Sequence, residues 1–237
     1  MPIHPFLIKS KLYKPLLRLT TPFKHLHQYL NYLQWVDKHN AIKVFNDYYN
    51  PQASYGRRYQ LHDHLIKKLN LENTPISYYE FGVAAGEMMS FWLGQNKNSN
   101  SEFYGFDSFK GLPESWENKE EGHFNKKGQT PDISDTRVKF ISGWFQDTVY
   151  DFFKSHKSSN QTTIFHLDAD LFSSTLYVLF HIQPVIKSGD ILIFDEFSSF
   201  NDEYEALQIF KRCFGRPFGY ELLGAINNYR QVAIQIK

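Results

Sequence analysis

The feature that most constrains the fold of this chain is an alternation, starting at Ser77, of short apolar runs and longer amphipathic stretches. Short apolar runs bounded by polar residues are typical of buried strands, and the stretches between them are typical of helices. The alternation therefore predicts βαβ units around a parallel sheet. The predicted strands lie within SYYEFGV, EFYGFD, RVKFIS, TTIFHLDAD and DILIFDEF.

The end of the chain has a different pattern. The segments YELLGAI and YRQVAIQIK are joined by Asn227 and Asn228. Because asparagine tolerates the positive φ angles of a tight hairpin turn, we expect the parallel sheet to finish in an antiparallel hairpin.

Residues 1–70 are predicted to form a helical extension, and residues 71–237 the main domain. Thr21 and Pro22 suit the N-cap and first turn of a helix, and Tyr59 to Leu69 is predicted to form a second one. Apolar residues follow Pro22 at helical spacing, namely Phe23, Leu26, Leu30 and Leu33. These helices are expected to pack on the main domain or on a second copy of the chain, which would make a homo-oligomer.

The composition and net charge of the chain limit the partners that it can bind. The chain has 26 basic and 25 acidic residues, a formal charge of +1, so it offers no overall field for nucleic acid. Cys213 is the only cysteine, which favours a reducing, cytoplasmic setting. No run approaches the length of a membrane span, and the N-terminus lacks the apolar region of a signal peptide.

A basic segment precedes the first acidic residue, Asp37. It could contact anionic lipid, but we favour a helix whose lysines lie in water. Its basic residues are Lys9, Lys11, Lys14, Arg18 and Lys24.

Four carboxylates follow two neighbouring predicted strands. Asp168 and Asp170 end the fourth run, and Asp195 and Glu196 end the fifth. Because ligands bind beyond the carboxyl ends of parallel strands, these groups are expected to converge on one rim. Carboxylates this close repel unless some are protonated or a hard cation such as Mg²⁺ or Mn²⁺ joins them. His166 shares the strand face with Asp168 and Asp170, and we favour a hydrogen-bonded core histidine over a catalytic one.

A glycine loop follows the first predicted strand. Gly82 and Gly86 allow the backbone to approach a ligand closely at the N-terminus of a helix. The loop lacks the middle glycine of the dinucleotide fingerprint and the lysine of a phosphate loop. Asp107 ends the next strand, about twenty residues further on, where an acid can accept hydrogen bonds from ribose hydroxyls.

The order of these motifs resembles the macrocin O-methyltransferase family of class I S-adenosylmethionine-dependent enzymes, which methylate sugar hydroxyls. The resemblance covers about residues 77 to 236, and the motifs that carry it are EFGVAAG, YGFDSFKGLPE, GWFQDT, HLDADLFSSTLYVL and ILIFDEF. It implies a Rossmann-like α/β fold with a seven-stranded, mostly parallel sheet and an antiparallel last strand. It also implies a small-molecule or glycan acceptor.

The resemblance implies roles for individual residues. Asp168, Asp195 and Glu196 would hold Mg²⁺, and Asp170 would act as the base. The residues that would bind S-adenosylmethionine are Glu80, Gly82, Gly86, Asp107, Ser108, Gly143, Trp144 and Phe145. Better-known members have Asp-Asp where this chain has Asp195 and Glu196, and often Arg and Gly where it has Ala84 and Ala85.

A polar segment of about thirty residues, 108–136, separates the second and third predicted strands and is longer than a compact domain normally needs. It is expected to be either an active-site lid or disordered. The acceptor pocket would be built from this segment and from an aromatic N-terminal region that includes Tyr48, Tyr49, Tyr55 and Arg57.

Three alternatives remain at this point. Asp168 and Asp170 alone also suit a metal-dependent glycosyltransferase that uses a nucleotide sugar, but that leaves the glycine loop and Asp107 unexplained. His166 and Asp168 suit a non-haem iron oxygenase, although such sites normally lie in β-barrels. The third is a donor-binding domain that has lost turnover.

Overall fold

The chain divides into two units, residues 1–41 and 42–237. In this computed structural model, the described residues are 11, 13–156, 161–214 and 219–237. The division falls earlier than the boundary predicted at residue 70. The helix predicted from Tyr59 to Leu69 is present as Arg58–Lys68 and belongs to the larger unit.

The described part of the smaller unit forms a long helix, α1, from Tyr13 to Asn40. The predicted start at Thr21 and Pro22 is wrong, because the helix begins eight residues earlier and includes Pro22. Proline removes one backbone hydrogen bond of a helix but does not always end it. Lys9, the first residue of the basic segment, lies outside the described residues.

The larger unit is built on a seven-stranded sheet with the order β3-β2-β1-β4-β5-β7-β6. Strands β1 to β5 are parallel neighbours, and β7 is antiparallel to both β5 and β6. The strands are β1 (Ile76–Phe81), β2 (Glu102–Asp107), β3 (Val138–Ser142), β4 (Thr162–Leu167), β5 (Ile191–Phe194), β6 (Tyr220–Ile226) and β7 (Gln231–Ile236). The predicted parallel sheet and terminal hairpin are both confirmed.

Helices connect most of the parallel strands of this unit, as the apolar pattern predicts, whereas β2 and β3 are joined without a helix. Arg58–Lys68 is α2, preceded by a 3₁₀ turn, Tyr55–Arg57. The others are α3 (Glu87–Gln95), α4 (Phe145–Ser155), α5 (Phe172–Ile182) and α6 (Glu203–Phe214). Among the described residues, no helix is both long and apolar enough to cross a membrane.

The core lies where α2 and α3 cover the sheet. It buries aromatic and aliphatic side chains from both layers, including Leu61, Trp92, Tyr78 and Phe103. The hairpin turn that ends the sheet has positive φ angles at Asn227, Asn228 and Tyr229. Asparagine therefore occupies two of the three positions that need this conformation.

The strand ends are aligned, and this alignment positions the site. Phe81 at the end of β1 pairs with Phe106 and Leu167, and Leu167 pairs with Phe194. β4 ends at Leu167, so Asp168 and Asp170 lie in the loop beyond it rather than on a strand face. Asp170 has a φ of 57°, which breaks the strand alternation that the sequence suggested.

Candidate active site

A cavity of about 440 Å³ opens at the carboxyl ends of the parallel strands. Most of the predicted site residues line it. They are Glu80, Gly82, Asp107, Ser108, Trp144, Phe145, Asp168, Asp170 and Glu196. Gly86, Gly143 and Asp195 are not among the lining residues, and Asp195 is completely buried.

The glycine loop between β1 and α3 can be built only with glycine at its first position. Gly82 has a φ of 96°, and a Cβ atom there would lie 1.8 Å from the carbonyl oxygen of Asp168. Gly86 has a φ of 78° and comes directly before α3, with the Pro131 side chain 2.9 Å from the position of a Cβ. The loop therefore packs backbone against backbone, and it leaves the cavity open at the start of a helix.

Asp107 holds the glycine loop in place. Its Oδ2 accepts hydrogen bonds from the backbone N–H groups of Val83 and Ala84, each at 2.8 Å. Its Oδ1 accepts one from Phe109 at 2.7 Å. Because an ionised carboxylate has about four acceptor positions, these three bonds leave capacity for one more donor from the cavity.

Glu80 begins a buried chain of hydrogen bonds. Tyr78 Oη donates to Glu80 Oε2 at 3.2 Å and lies 2.9 Å from His166 Nδ1. Burial raises the pKa of Glu80 well above its usual range. His166 is fully buried, as expected of a hydrogen-bonded core histidine.

The protonated form is favoured at Asp168 and Asp170, whereas the ionised form is favoured at Asp195. Burial, with repulsion from Asp195 and Asp170, raises the pKa of Asp168. Burial, with repulsion from Glu196 and Asp195, raises the pKa of Asp170 to about 7. Although burial also opposes ionisation of Asp195, His166 and Arg58 hold its pKa below the usual value.

Two arginines compensate the acidic residues. Arg58 Nη1 lies 3.6 Å from Asp168 Oδ2 and 3.6 Å from Asp195 Oδ2. Arg230 donates two hydrogen bonds of 2.7 Å to Glu196, one to each carboxylate oxygen. Mg²⁺ requires oxygen ligands at about 2.0–2.1 Å, and these three carboxylates point at guanidinium groups instead. As arranged, Asp168, Asp195 and Glu196 do not fit a divalent cation.

Among the described residues, the group whose potential ligand atoms all lie within 4.8 Å of one another is His62, His166 and Asp195. Its hydrogen bonding argues against a metal. His62 Nδ1 accepts a hydrogen bond of 3.0 Å from Trp92 Nε1, and an indole N–H is only a donor. The proton of a neutral His62 ring is therefore on Nε2, which cannot also be a metal ligand.

Segment 108–136 is held by its own hydrogen bonds. Backbone bonds join Leu112 to His123 and Gly122, and Trp116 to Lys119. Trp116 Nε1 also donates to Asp202 Oδ2 at 3.2 Å, which ties the segment to the start of α6. The residues of the segment that line the cavity are Ser108, Gly111, Leu112, Pro113, Lys119, Phe124 and Lys126.

Sequence reasoning missed Arg58 and Arg230, which both line the cavity. Arg57, which it selected, instead pairs with Asp47 at 3.2 Å and is not a lining residue. Tyr55 lines the cavity as expected, whereas Tyr48 and Tyr49 do not. Two adjacent arginines before a helix do not reveal which one faces the sheet, since that depends on where the helix begins.

The fold and the cavity define a class I methyltransferase: a seven-stranded sheet with one antiparallel strand, and a glycine loop and strand-end acids at its carboxyl edge. The family model for macrocin O-methyltransferase (TylF) matches residues 51–215. The chain therefore belongs to this family and is an S-adenosylmethionine-dependent O-methyltransferase.

Solved structures agree on the fold. The O-methyltransferase NovP is 20% identical, with a TM-score of 0.52 over 76% of this chain and 78% of that one. The calicheamicin methyltransferase CalS11 is 16% identical, with a TM-score of 0.55 over 90% of this chain and 92% of that one. No curated protein sequence matches the chain. Family membership and the α/β fold decide against the glycosyltransferase and iron-oxygenase alternatives.

Proposed function

We propose that this enzyme methylates a hydroxyl of a sugar or of a glycosylated small molecule, and that Asp170 accepts the proton of that hydroxyl. The observation that carries the proposal is the shared cavity, in which the glycine loop and Asp170 line the same space. CalS11 is described as a TDP-rhamnose 3′-O-methyltransferase, which supports a sugar acceptor by analogy.

S-adenosylmethionine, when bound, supplies a methyl group whose bond to sulfur breaks as the acceptor oxygen attacks it, leaving S-adenosylhomocysteine. The chain's own residues fit this donor. Gly82 keeps side-chain atoms away from the donor loop, Asp107 fixes the loop and retains acceptor capacity, and Glu80 offers a carboxyl group. Trp144 and Phe145 supply aromatic surface to the cavity. We propose these residues, with Ser108 and the backbone around Gly86 and Gly143, as the donor site.

Asp170 suits the role of base. It is 8% exposed, lines the cavity and has its pKa raised to about 7. A base with a pKa near the working pH combines a useful deprotonated fraction with proton affinity. The predicted assistance by Mg²⁺ enters no step, because Arg58 and Arg230 already face the three carboxylates that would bind the ion.

The test combines donor binding with turnover. Calorimetric titration of the purified chain with S-adenosylhomocysteine is expected to give micromolar binding, which Asp107→Ala removes. Methylation is then measured against a panel of nucleotide sugars and glycosides. Asp170→Asn is expected to keep donor binding and to lower turnover by roughly 10²–10⁴-fold, the usual contribution of a general base.

Asp151→Asn, on the exposed face of α4, is the matched control and is expected to behave as wild type. Absence of donor binding would refute the donor site, and donor binding without turnover on any acceptor would favour a non-catalytic domain. Cytoplasmic location, which rests on the single cysteine, and homo-oligomerisation through the N-terminal helices remain predictions.

A further inference from the structure

Arg58 is a buried cation that is fixed from several directions. Arg58 is 5% exposed and is the first residue of α2. Nη2 lies 3.2 Å from Glu87 Oε2, and Nη1 donates to the hydroxyl of Tyr55. The guanidinium carbon also lies 4.0 Å from the centre of the Tyr55 ring. These contacts hold the guanidinium in one position against the cavity.

From that position Arg58 faces two acidic side chains at once, Asp168 and the ionised Asp195. Nη1 is equally distant, at 3.6 Å, from an oxygen of Asp168 and an oxygen of Asp195. Asp195 is completely buried, and a buried ionised carboxylate requires a nearby positive charge. Although burial opposes the charge on Arg58, the neighbouring Asp195, Tyr55 and Asp168 raise the pKa of Arg58.

Glu196, the third carboxylate, is separately compensated. Arg230 binds both of its oxygens at 2.7 Å, the parallel geometry in which arginine holds a carboxylate most strongly. Arg230 also lies 5.4 Å from the Tyr55 ring centre. Tyr55 therefore lies against both guanidinium groups, and all three side chains line the cavity.

We propose that the Arg58 guanidinium takes the place of a divalent cation between Asp168 and Asp195, and that it helps to position the acceptor hydroxyl. This role in catalysis rests on the proposed methyl transfer, whereas the exclusion of a metal does not. A guanidinium and a divalent ion cannot share the space between the two carboxylates, since each would repel the other. Arg58 lines the cavity and carries a fixed positive charge, so it stabilises negative charge that develops on an acceptor oxygen.

The proposal predicts how the chain responds to metal. Wild-type protein is expected to bind no Mn²⁺ in the micromolar range, and its affinity for S-adenosylhomocysteine is expected to be the same with EDTA or Mg²⁺. Arg58→Ala removes the positive charge that lies 3.6 Å from both Asp168 and Asp195, so it is expected to bind Mn²⁺ at least roughly tenfold more tightly than wild type. Arg58→Lys keeps a positive charge and is expected to bind Mn²⁺ no better than wild type.

Mn²⁺ binding is measured by the loss of its free electron paramagnetic resonance signal on titration with the full chain. Arg57→Ala is the matched control, because Arg57 is the adjacent arginine but pairs with Asp47 outside the cavity. It is expected to leave Mn²⁺ binding unchanged. Circular dichroism establishes that each variant is folded.

Two results would overturn the proposal. One is micromolar Mn²⁺ binding by the wild type that Asp195→Asn abolishes. The other is a folded Arg58→Ala that gains no Mn²⁺ affinity. If Arg58→Ala does not fold, Mn²⁺ titrations of the wild type and of Arg58→Lys still test whether Arg58 excludes a divalent cation. Failure of the proposed function is measured separately, by calorimetry with S-adenosylhomocysteine, because loss of donor binding does not affect the Mn²⁺ signal.

The positioning role has its own readout. In Arg58→Lys, the KM for the acceptor and kcat are expected to change while the affinity for S-adenosylhomocysteine stays within about twofold, because lysine keeps the charge but lacks the planar guanidinium. An unchanged KM and kcat would refute the positioning role.

Discussion

Arg58 Nη1 lies 3.6 Å from Oδ2 of Asp195, and Asp195 has no exposed surface. This pair joins the start of α2 to the end of β5, two elements far apart in the sequence. It also explains how an ionised carboxylate can lie beneath the floor of the cavity, because the charge it carries is matched inside the protein. The pair is therefore expected to contribute to the stability of the fold, and Arg58, which lines the cavity, is the member proposed to act on its chemistry.

Asp195→Asn is expected to destabilise the protein. The substitution keeps the shape of the side chain but leaves Arg58 with only one close aspartate, and breaking a buried ion pair typically costs about 3–5 kcal/mol. We expect a loss toward the lower end of that range, since Asp168 remains. The measurement is the free energy of unfolding in urea.

Glu221→Gln removes one partner of a half-exposed pair with Lys237 and serves as the control for the loss of one negative charge. A loss for Asp195→Asn below about 1 kcal/mol, the range of exposed ion pairs, would contradict a charge-compensating role for Arg58.

Gly82→Ala is expected to abolish donor binding and to lower stability. The new Cβ would lie 1.8 Å from the carbonyl oxygen of Asp168, and the φ of 96° is strained for alanine. The glycine loop and the Asp168 loop would have to separate, which moves both walls of the cavity. Calorimetry with S-adenosylhomocysteine and a thermal melt measure the two effects.

Gly94→Ala is the matched control. Gly94 lies within α3, is exposed, and has no atom within 4 Å of the position that a Cβ would take. Alanine there is expected to raise stability by about 0.5–1 kcal/mol and to leave donor binding unchanged. Retained donor binding in Gly82→Ala would show that the close approach is not required.

Much of the fold could be predicted because its signals are local. The apolar runs and the Asn227–Asn228 turn are read directly from neighbouring residues, and β2 (Glu102–Asp107) and β6 (Tyr220–Ile226) coincide with the predicted runs. The start of α1 could not be predicted, since a proline that fits a helix start is also tolerated inside a long helix.

The acids of the site could be predicted because parallel strands bring their carboxyl ends to one edge. The arginines could not, because Arg58 reaches Asp195 only through the packing of α2 on the sheet, and Arg230 reaches Glu196 only through the placement of β7 beside β5. The sequence therefore indicates which groups need positive charge, and the tertiary structure determines what supplies it.

Trp116→Phe is expected to weaken acceptor binding more than donor binding. Trp116 Nε1 donates to Asp202, and its ring packs with Leu112 and Leu171. Phenylalanine keeps the apolar packing and loses the donor, at a typical cost of about 1 kcal/mol. Because Leu112 lines the cavity, we expect a higher KM for the acceptor and faster proteolysis within 108–136. An unchanged KM would argue that this segment does not contact the acceptor.

The stability of the protein is expected to fall in acid through Asp135. Arg137 Nη2 donates to Asp135 Oδ2 at 2.7 Å, and the backbone N–H of Arg137 donates to Oδ1 at 2.9 Å. These bonds hold the pKa of Asp135 below its usual value. A depressed folded-state pKa means that the stabilisation is present above the unfolded value of about 3.9 and is lost as the pH falls through the folded-state pKa.

Asp135→Asn removes this contribution at every pH, so its stability is expected to fall furthest below that of wild type near neutrality, and the difference is expected to shrink in acid. Arg137 is held in place in both proteins by the backbone carbonyl groups of Leu93, Asn96 and Asn98. Urea unfolding of both proteins at pH values from neutrality down to about 3 measures the difference, with Asp132→Asn in the same segment as the control for the lost charge. A difference that stays constant across this range would mean that Asp135 acts through its shape and not through its charge.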